Sequence, residues 1–209
     1  QFRPDVHGVP FSQFLAPGLV MMAIAQNAFA NTSSSIMIAK VQGNIVDTLM
    51  PPFTPTELVF GIAMGGVTRG IFVGLAVTVA MSFAVGFQIT HVGMIFFHAF
   101  AASLMLALLG IIAGIWAEKF DHMAAVTNFI ITPLAFLSGT FYSIERLPEF
   151  GQTLAHFNPF FYMIDGFRSG FIGHADITPW VGMAVMVAIN IVLWVICTRM
   201  FKTGYKLKP

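Results

Sequence analysis

Residues 92–117 read VGMIFFHAFAASLMLALLGIIAGIWA, an apolar run without a single Asp, Glu, Lys or Arg. An α-helix rises about 1.5 Å per residue, so this run can cross the roughly 30 Å hydrocarbon layer of a bilayer. It lacks the period-two alternation of a barrel strand and is too long for a buried soluble helix. Four more segments share its character: 11–39, 58–87, 123–142 and 178–201. The expected fold class is therefore an all-α membrane protein, one transmembrane domain over 1–209 with five spans.

Composition agrees. The chain is 57% hydrophobic and 9% charged, with 23 Phe and a mean hydropathy of +0.82. A soluble domain carries about one-quarter charged residues. Net charge is +1, which gives no footing for nucleic acid. Cys197 is the only cysteine, so an internal disulfide is excluded. The first ten residues, QFRPDVHGVP, contain no signal-peptide core.

Lys and Arg set the expected orientation. Lys40, Lys119 and the tail cations Arg199, Lys202, Lys206 and Lys208 fall on one side; Arg3, Arg146 and Arg168 fall on the other. The C-terminus is thus expected in the cytoplasm and Gln1 outside. A chain starting outside with no signal peptide reads as lacking a first span, so six spans are expected in the intact protein. No internal repeat is visible, which argues against an inverted-repeat secondary transporter.

No hydrolase, metalloprotease or Walker A motif occurs, and no Gly-Lys pair exists. No catalytic residue is assigned, and any ATP used must be bound by another chain. His91 and His98, seven apart, share a helix face; metal binding there is the weaker reading and packing the stronger, so no metal site is assigned. Gln26, Asn27, Asn31 and Ser34 make the first span polar. Asn27, Asn31 and Ser34 share one face, and two readings stand: hydrogen-bonding glue between helices, or a substrate path. Gly66, Gly70 and Gly74, with Gly61 and Gly65, predict close helix packing. Arg69 is expected one or two turns inside the cytoplasmic boundary, either reaching for the headgroups or paired with Glu118 or Asp121. Pro133 predicts a kink.

Two connections are unusual. Residues 40–57, KVQGNIVDTLMPPFTPTE, predict a short helix stopped by Pro51-Pro52, with Ile45, Leu49 and Met50 on its apolar face. Residues 143–177 hold an amphipathic piece with Leu147, Phe150, Leu154 and Phe157 to one side. After the Asn158-Pro159 break comes a second short piece carrying Asp165 and Arg168. Together they predict a re-entrant hairpin with an Asp165–Arg168 pair on one face, and Phe160, Phe161 and Phe167 sealing it against lipid.

Four stretches carry a family resemblance: NPFFYMIDGFRSGFIG (158–173), VQGNIVDTLMPPFTPTEL (41–58), FLAPGLVMMAIAQNAFANTSSS (14–35) and ITPLAFLSGTFYSIERLP (131–148). In order and along essentially the whole chain, they resemble ABC-2-type exporter permeases. The resemblance implies an ABC-2 helical bundle in the bacterial inner membrane, paired with a second permease copy and two ATP-binding subunits that carry ATP and Mg. It implies outward movement of a lipid-linked glycan, glycolipid or amphipathic drug. By position, Gln42, Gly43, Asn44, Asp47, Thr48 and Leu49 would form the coupling helix that docks on the ATPase. Asn158, Pro159, Tyr162, Asp165, Gly166, Arg168 and Gly173 would shape an external gate. By helical phase more than by a family motif, Gln26, Asn27, Asn31 and Ser34 would face the cavity or the second copy. The alternative function is an ATP-independent secondary transporter or channel.

Overall fold

The computed structural model describes residues 8–142 and 148–207. Its helices are α1 (Phe11–Val41), α2 (Ile45–Leu49), α3 (Pro55–Ser82), α4 (Val92–Trp116), α5 (Phe120–Val126), a π-helical turn (Thr127–Ile131), α6 (Thr132–Leu137), α7 (Glu149–His156), α8 (Pro159–Ile172) and α9 (Pro179–Thr203). No β-strand forms among the described residues. Five helical segments are long and apolar enough to cross a membrane: α1, α3, α4, the run from α5 through α6, and α9. These are the five expected spans.

Helix α1 is the centre of the bundle because glycines on two sides make room for it. A Cβ at Gly66 would lie 3.1 Å from the Ala28 carbonyl oxygen, and one at Gly70 2.9 Å from that of Ile24. On α4, Gly110 meets the Phe29 carbonyl at 2.6 Å and Gly114 that of Ser33 at 2.9 Å. Backbones so close exchange dispersion contacts that lipid chains cannot match. Gly61 and Gly65 face open space instead, so only the Gly66–Gly70–Gly74 row is a packing groove. Polar links stitch the same helices. Thr32 donates to Ala107 O at 2.8 Å, Ser103 to Val67 O at 3.3 Å, and Asn190 of α9 to Ala101 O at 3.0 Å.

Several boundaries differ from the sequence reading. Helix α3 starts at Pro55 because Thr54 accepts the Glu57 N–H while the Glu57 carboxylate accepts that of Thr54, a capping box with Pro at its first position. It ends at Ser82, and 83–91 form a longer connection than the expected turn. The Gly170 carbonyl accepts both Thr90 and His91 N–H groups at 2.9 Å, holding this segment extended on α8. The span carrying Pro133 widens into the π turn just before it. Proline lacks an N–H and its ring crowds the carbonyl four residues back, and the wide turn relieves that crowding. Arg69 is the fifteenth of 28 residues of α3, deeper than expected, because α3 starts early. Glu118 bonds Lys206 rather than Arg69, and Asp121 sits in the first turn of α5.

Candidate functional site

The bundle has two differently built ends. At one, α8 is inserted among the spans, and eleven of its fourteen residues are buried. Asn158 starts it by accepting the Phe160 N–H at 3.0 Å, and its Nδ2 donates to Leu134 O at 2.8 Å. Pro159 takes the first helical position, where no N–H is needed. The Tyr162 hydroxyl donates to His156 O at 2.9 Å, tying α8 to α7. Gly166 leaves room for the His98 ring, which occupies the space a Cβ would need. Gly173, at φ +72°, ends the helix in the left-handed conformation.

Asp165 and Arg168 do not form the expected ion pair; among the described residues no salt bridge joins them. Their side chains diverge to separate backbone partners. Asp165 accepts the N–H groups of Asp176 at 2.9 Å and Ile177 at 3.2 Å. The Arg168 guanidinium donates to Gly139 O at 2.8 Å and stacks 3.9 Å from the Phe14 ring centroid. Each charge thus pins α8 to a different neighbour: the α8–α9 connection on one side, the end of α6 and the start of α1 on the other. Phe160, Phe161 and Phe167 are buried in protein rather than turned to lipid. The outward apolar face belongs to α7, through Phe150, Leu154 and Phe157. Leu147 lies outside the described residues.

At the other end, Gly43 at φ +75° interrupts the chain after α1. Gln42, Gly43 and Asn44 therefore form a turn, and only Ile45–Leu49, with Asp47 and Thr48 inside, is helical. Ile45 is buried and Leu49 half-buried, while Val46, Asp47 and Met50 point outward. Just before this segment, Lys40 Nζ donates to Ile115 O and Ala117 O, both at 2.6 Å. It caps the C-terminus of α4, where the helix dipole favours a cation and where α4 has no basic residue of its own. Lys206 adds a bond to Trp116 O at 3.3 Å and one to Glu118 at 2.8 Å. The hydrogen bond from Lys206 holds the Glu118 carboxyl below the usual range, and the same bond pushes the Lys206 ammonium upward.

Between the ends, a cavity of about 500 Å³ is lined by Gln26, Asn27, Ser33 and Ser34 of α1 and by Thr127 and Thr132 opposite. Asn31 is half-buried and does not line it. Asn27 bonds back to Ala23 O and Ser35 to Asn31 O, within α1 itself. The interhelical bond belongs to Thr32, on a different face. His98 places Nδ1 3.0 Å from Met94 O and is buried, whereas His91 is exposed. Among the described residues no three His, Cys, Asp or Glu converge as metal ligands.

The family model of the ABC-2 type transporter matches residues 5–172. The chain belongs to that family. Escherichia coli (strain K12) inner membrane transport permease YadH is 38% identical over 204 residues, spanning 98% of this chain and 80% of the relative. Nodulation protein J of Neorhizobium galegae is 24% identical, over 85% of this chain and 69% of its own length. Its namesake from Rhizobium leguminosarum bv. trifolii is 26% identical over the same shares. The protein is therefore an ABC-2 transport permease, a multi-pass protein of the inner membrane. Sequence reasoning missed two contributors to this ABC-2 bundle. The Gly110–Gly114 pair was visible as a GxxxG spacing. The capping role of Lys40 had no signal, because its partners are carbonyls 75 and 77 residues away.

Proposed function

We propose that this chain is the membrane subunit of an ATP-driven exporter, working as a pair of permeases on two ATP-binding subunits that hold ATP and Mg. The observation that carries this reading is the α2 segment. It is a short step between two spans, held from within by Ile45 and the adjacent Lys40 cap, with Val46, Asp47 and Met50 exposed on its outer side. Such a surface suits a soluble partner that must push on the spans. In this reading the α2 end and the C-terminus are cytoplasmic and the α8 end is external. Gln42, Gly43, Asn44, Asp47, Thr48 and Leu49 form the docking segment. Asn158, Pro159, Tyr162, Asp165, Gly166, Arg168 and Gly173 hold the external plug. Gln26, Asn27 and Ser34 line the path, with Asn31 beside it facing the second copy. The cargo is a lipid-linked glycan, a glycolipid or an amphipathic drug, because the lining offers amide and hydroxyl groups but no charge.

The test is copurification with the ATP-binding subunit and ATP turnover in nanodiscs, comparing wild type with Asp47→Lys. Asp47 is exposed, so the variant should keep wild-type stability within about 0.5 kcal/mol. It should lose partner binding and turnover together. Unchanged turnover in a well-folded variant would reject the docking assignment and favour an ATP-independent carrier or channel.

A further inference from the structure

Arg69 sits level with the middle of α1 and α4. Gly70 beside it packs on Ile24 and Ala28 of α1 and on Ser103 of α4. Those residues lie close to the centres of their helices, and Arg69 is the fifteenth residue of 28 in α3. By the helical rise it is roughly 20 Å from either end of its helix. The side chain is exposed on the outer face of α3, with the exposed apolar residues Phe72 and Val79 on the same side. Among the described residues it has no hydrogen bond or ion pair. Among the described residues no Asp or Glu lies in the middle of one of the five spans.

A guanidinium in hydrocarbon draws in water, a headgroup or a counter-ion. The surrounding face is mainly apolar, as a lipid-facing surface is, with the exposed Thr68 hydroxyl donating back to Met64 O, and the lipid group that matches a guanidinium fork is phosphate. Long helical side chains lean toward the helix N-terminus, here over Gly65 and Gly61, where no atom stands within 4 Å of an added Cβ. We infer that Arg69 binds the phosphate of an anionic phospholipid drawn into this notch from the leaflet at the α2 end. That leaflet is the cytoplasmic one only on the orientation proposed above; the binding itself does not depend on ATP coupling.

The full-length protein would be placed in nanodiscs of phosphatidylcholine with a minority of phosphatidylglycerol, and the motionally restricted fraction of each spin-labelled lipid measured. Wild type should select phosphatidylglycerol. Arg69→Gln should lower that selectivity about fivefold, the weight of one basic side chain against anionic lipid. Arg69→Lys should retain part of it, and Gly65→Leu, which fills the notch and keeps the charge, should reduce it. Equal selectivity in wild type and Arg69→Gln overturns the assignment, as does wild type with no preference or with a stoichiometric protein bound at α3. Should Arg69→Gln fail to fold, Gly65→Leu decides: undiminished selectivity there overturns the notch. No arm requires ATP turnover, so failure here leaves the exporter reading standing, and failure of that reading leaves this result standing.

Discussion

Both ends of the bundle use a cation to close a row of backbone carbonyls, yet the two are built for opposite ends. Arg168 is buried, stacked on Phe14, and faces carbonyls 28 and 29 residues away in sequence. The helix that carries it is nearly all interior. Lys40 is only part-buried, and the helix beyond it has a single buried residue. One end turns its contacts inward, and on the proposed reading it is the plug. The other leaves exposed side chains free of the bundle, and on that reading it is the handle. Closure of a pathway calls for the first, and transmission of force from a soluble partner for the second.

The contrast breaks most visibly at Arg168. Arg168→Met keeps the bulk over Phe14 but strips the Gly139 carbonyl of its charged donor. The expected loss is about 1.5–3 kcal/mol, the value of a hydrogen bond to a charged group. A clear fall in melting temperature in nanodiscs is the readout, and wild-type stability would mean that α8 is held by its apolar packing alone. Lys40→Met should cost less, roughly 0.3–2 kcal/mol, the range for a cation at a helix C-terminus. Lys40→Arg should restore most of it. If the loss at Lys40 exceeds that at Arg168, the handle is the more deeply built end and the contrast is reversed.

The smallest effect belongs to Glu118→Gln, which removes an exposed ion pair. Because Lys206 depresses the Glu118 carboxyl, any stability from the pair is present above the ordinary carboxylate range and fades as pH falls through the lowered value. The wild-type and variant melting temperatures should converge on acidification, and also in high salt. A difference that survives both would show a packing role instead.

The spans were legible because length and lack of charge identify a bilayer helix without any partner. The breakers were legible too. Pro51-Pro52 stops the step after α1, and Asn158-Pro159 starts α8 with a side-chain cap. The fate of the charges was not. Helical spacing put Asp165 and Arg168 on neighbouring positions, and the obvious inference was a mutual pair. Their actual partners are main-chain groups brought in from residues 139, 176 and 177, which carry no signature in the sequence. The same reason hid Lys40. The phenylalanines of α8 misled for a related cause: a greasy surface facing lipid and one facing protein are written in the same letters. Thr54-Pro-Thr-Glu57 was the readable signal for the true start of α3, overlooked because the apolar run begins only at Leu58.

The π turn before Pro133 has a consequence in phase. A π turn carries one more residue than the α turn it replaces. An α-helix turns about 100° per residue. Deleting that residue would rotate everything beyond Ile131 by that angle relative to α5. Met123 and Thr127 would still look toward the polar face of α1. The Leu134 carbonyl would turn away from the Asn158 amide that now holds it. The wide turn is a vernier: it sets one half of the span to the cavity and the other half to the start of α8, two alignments that no single straight helix would meet at once.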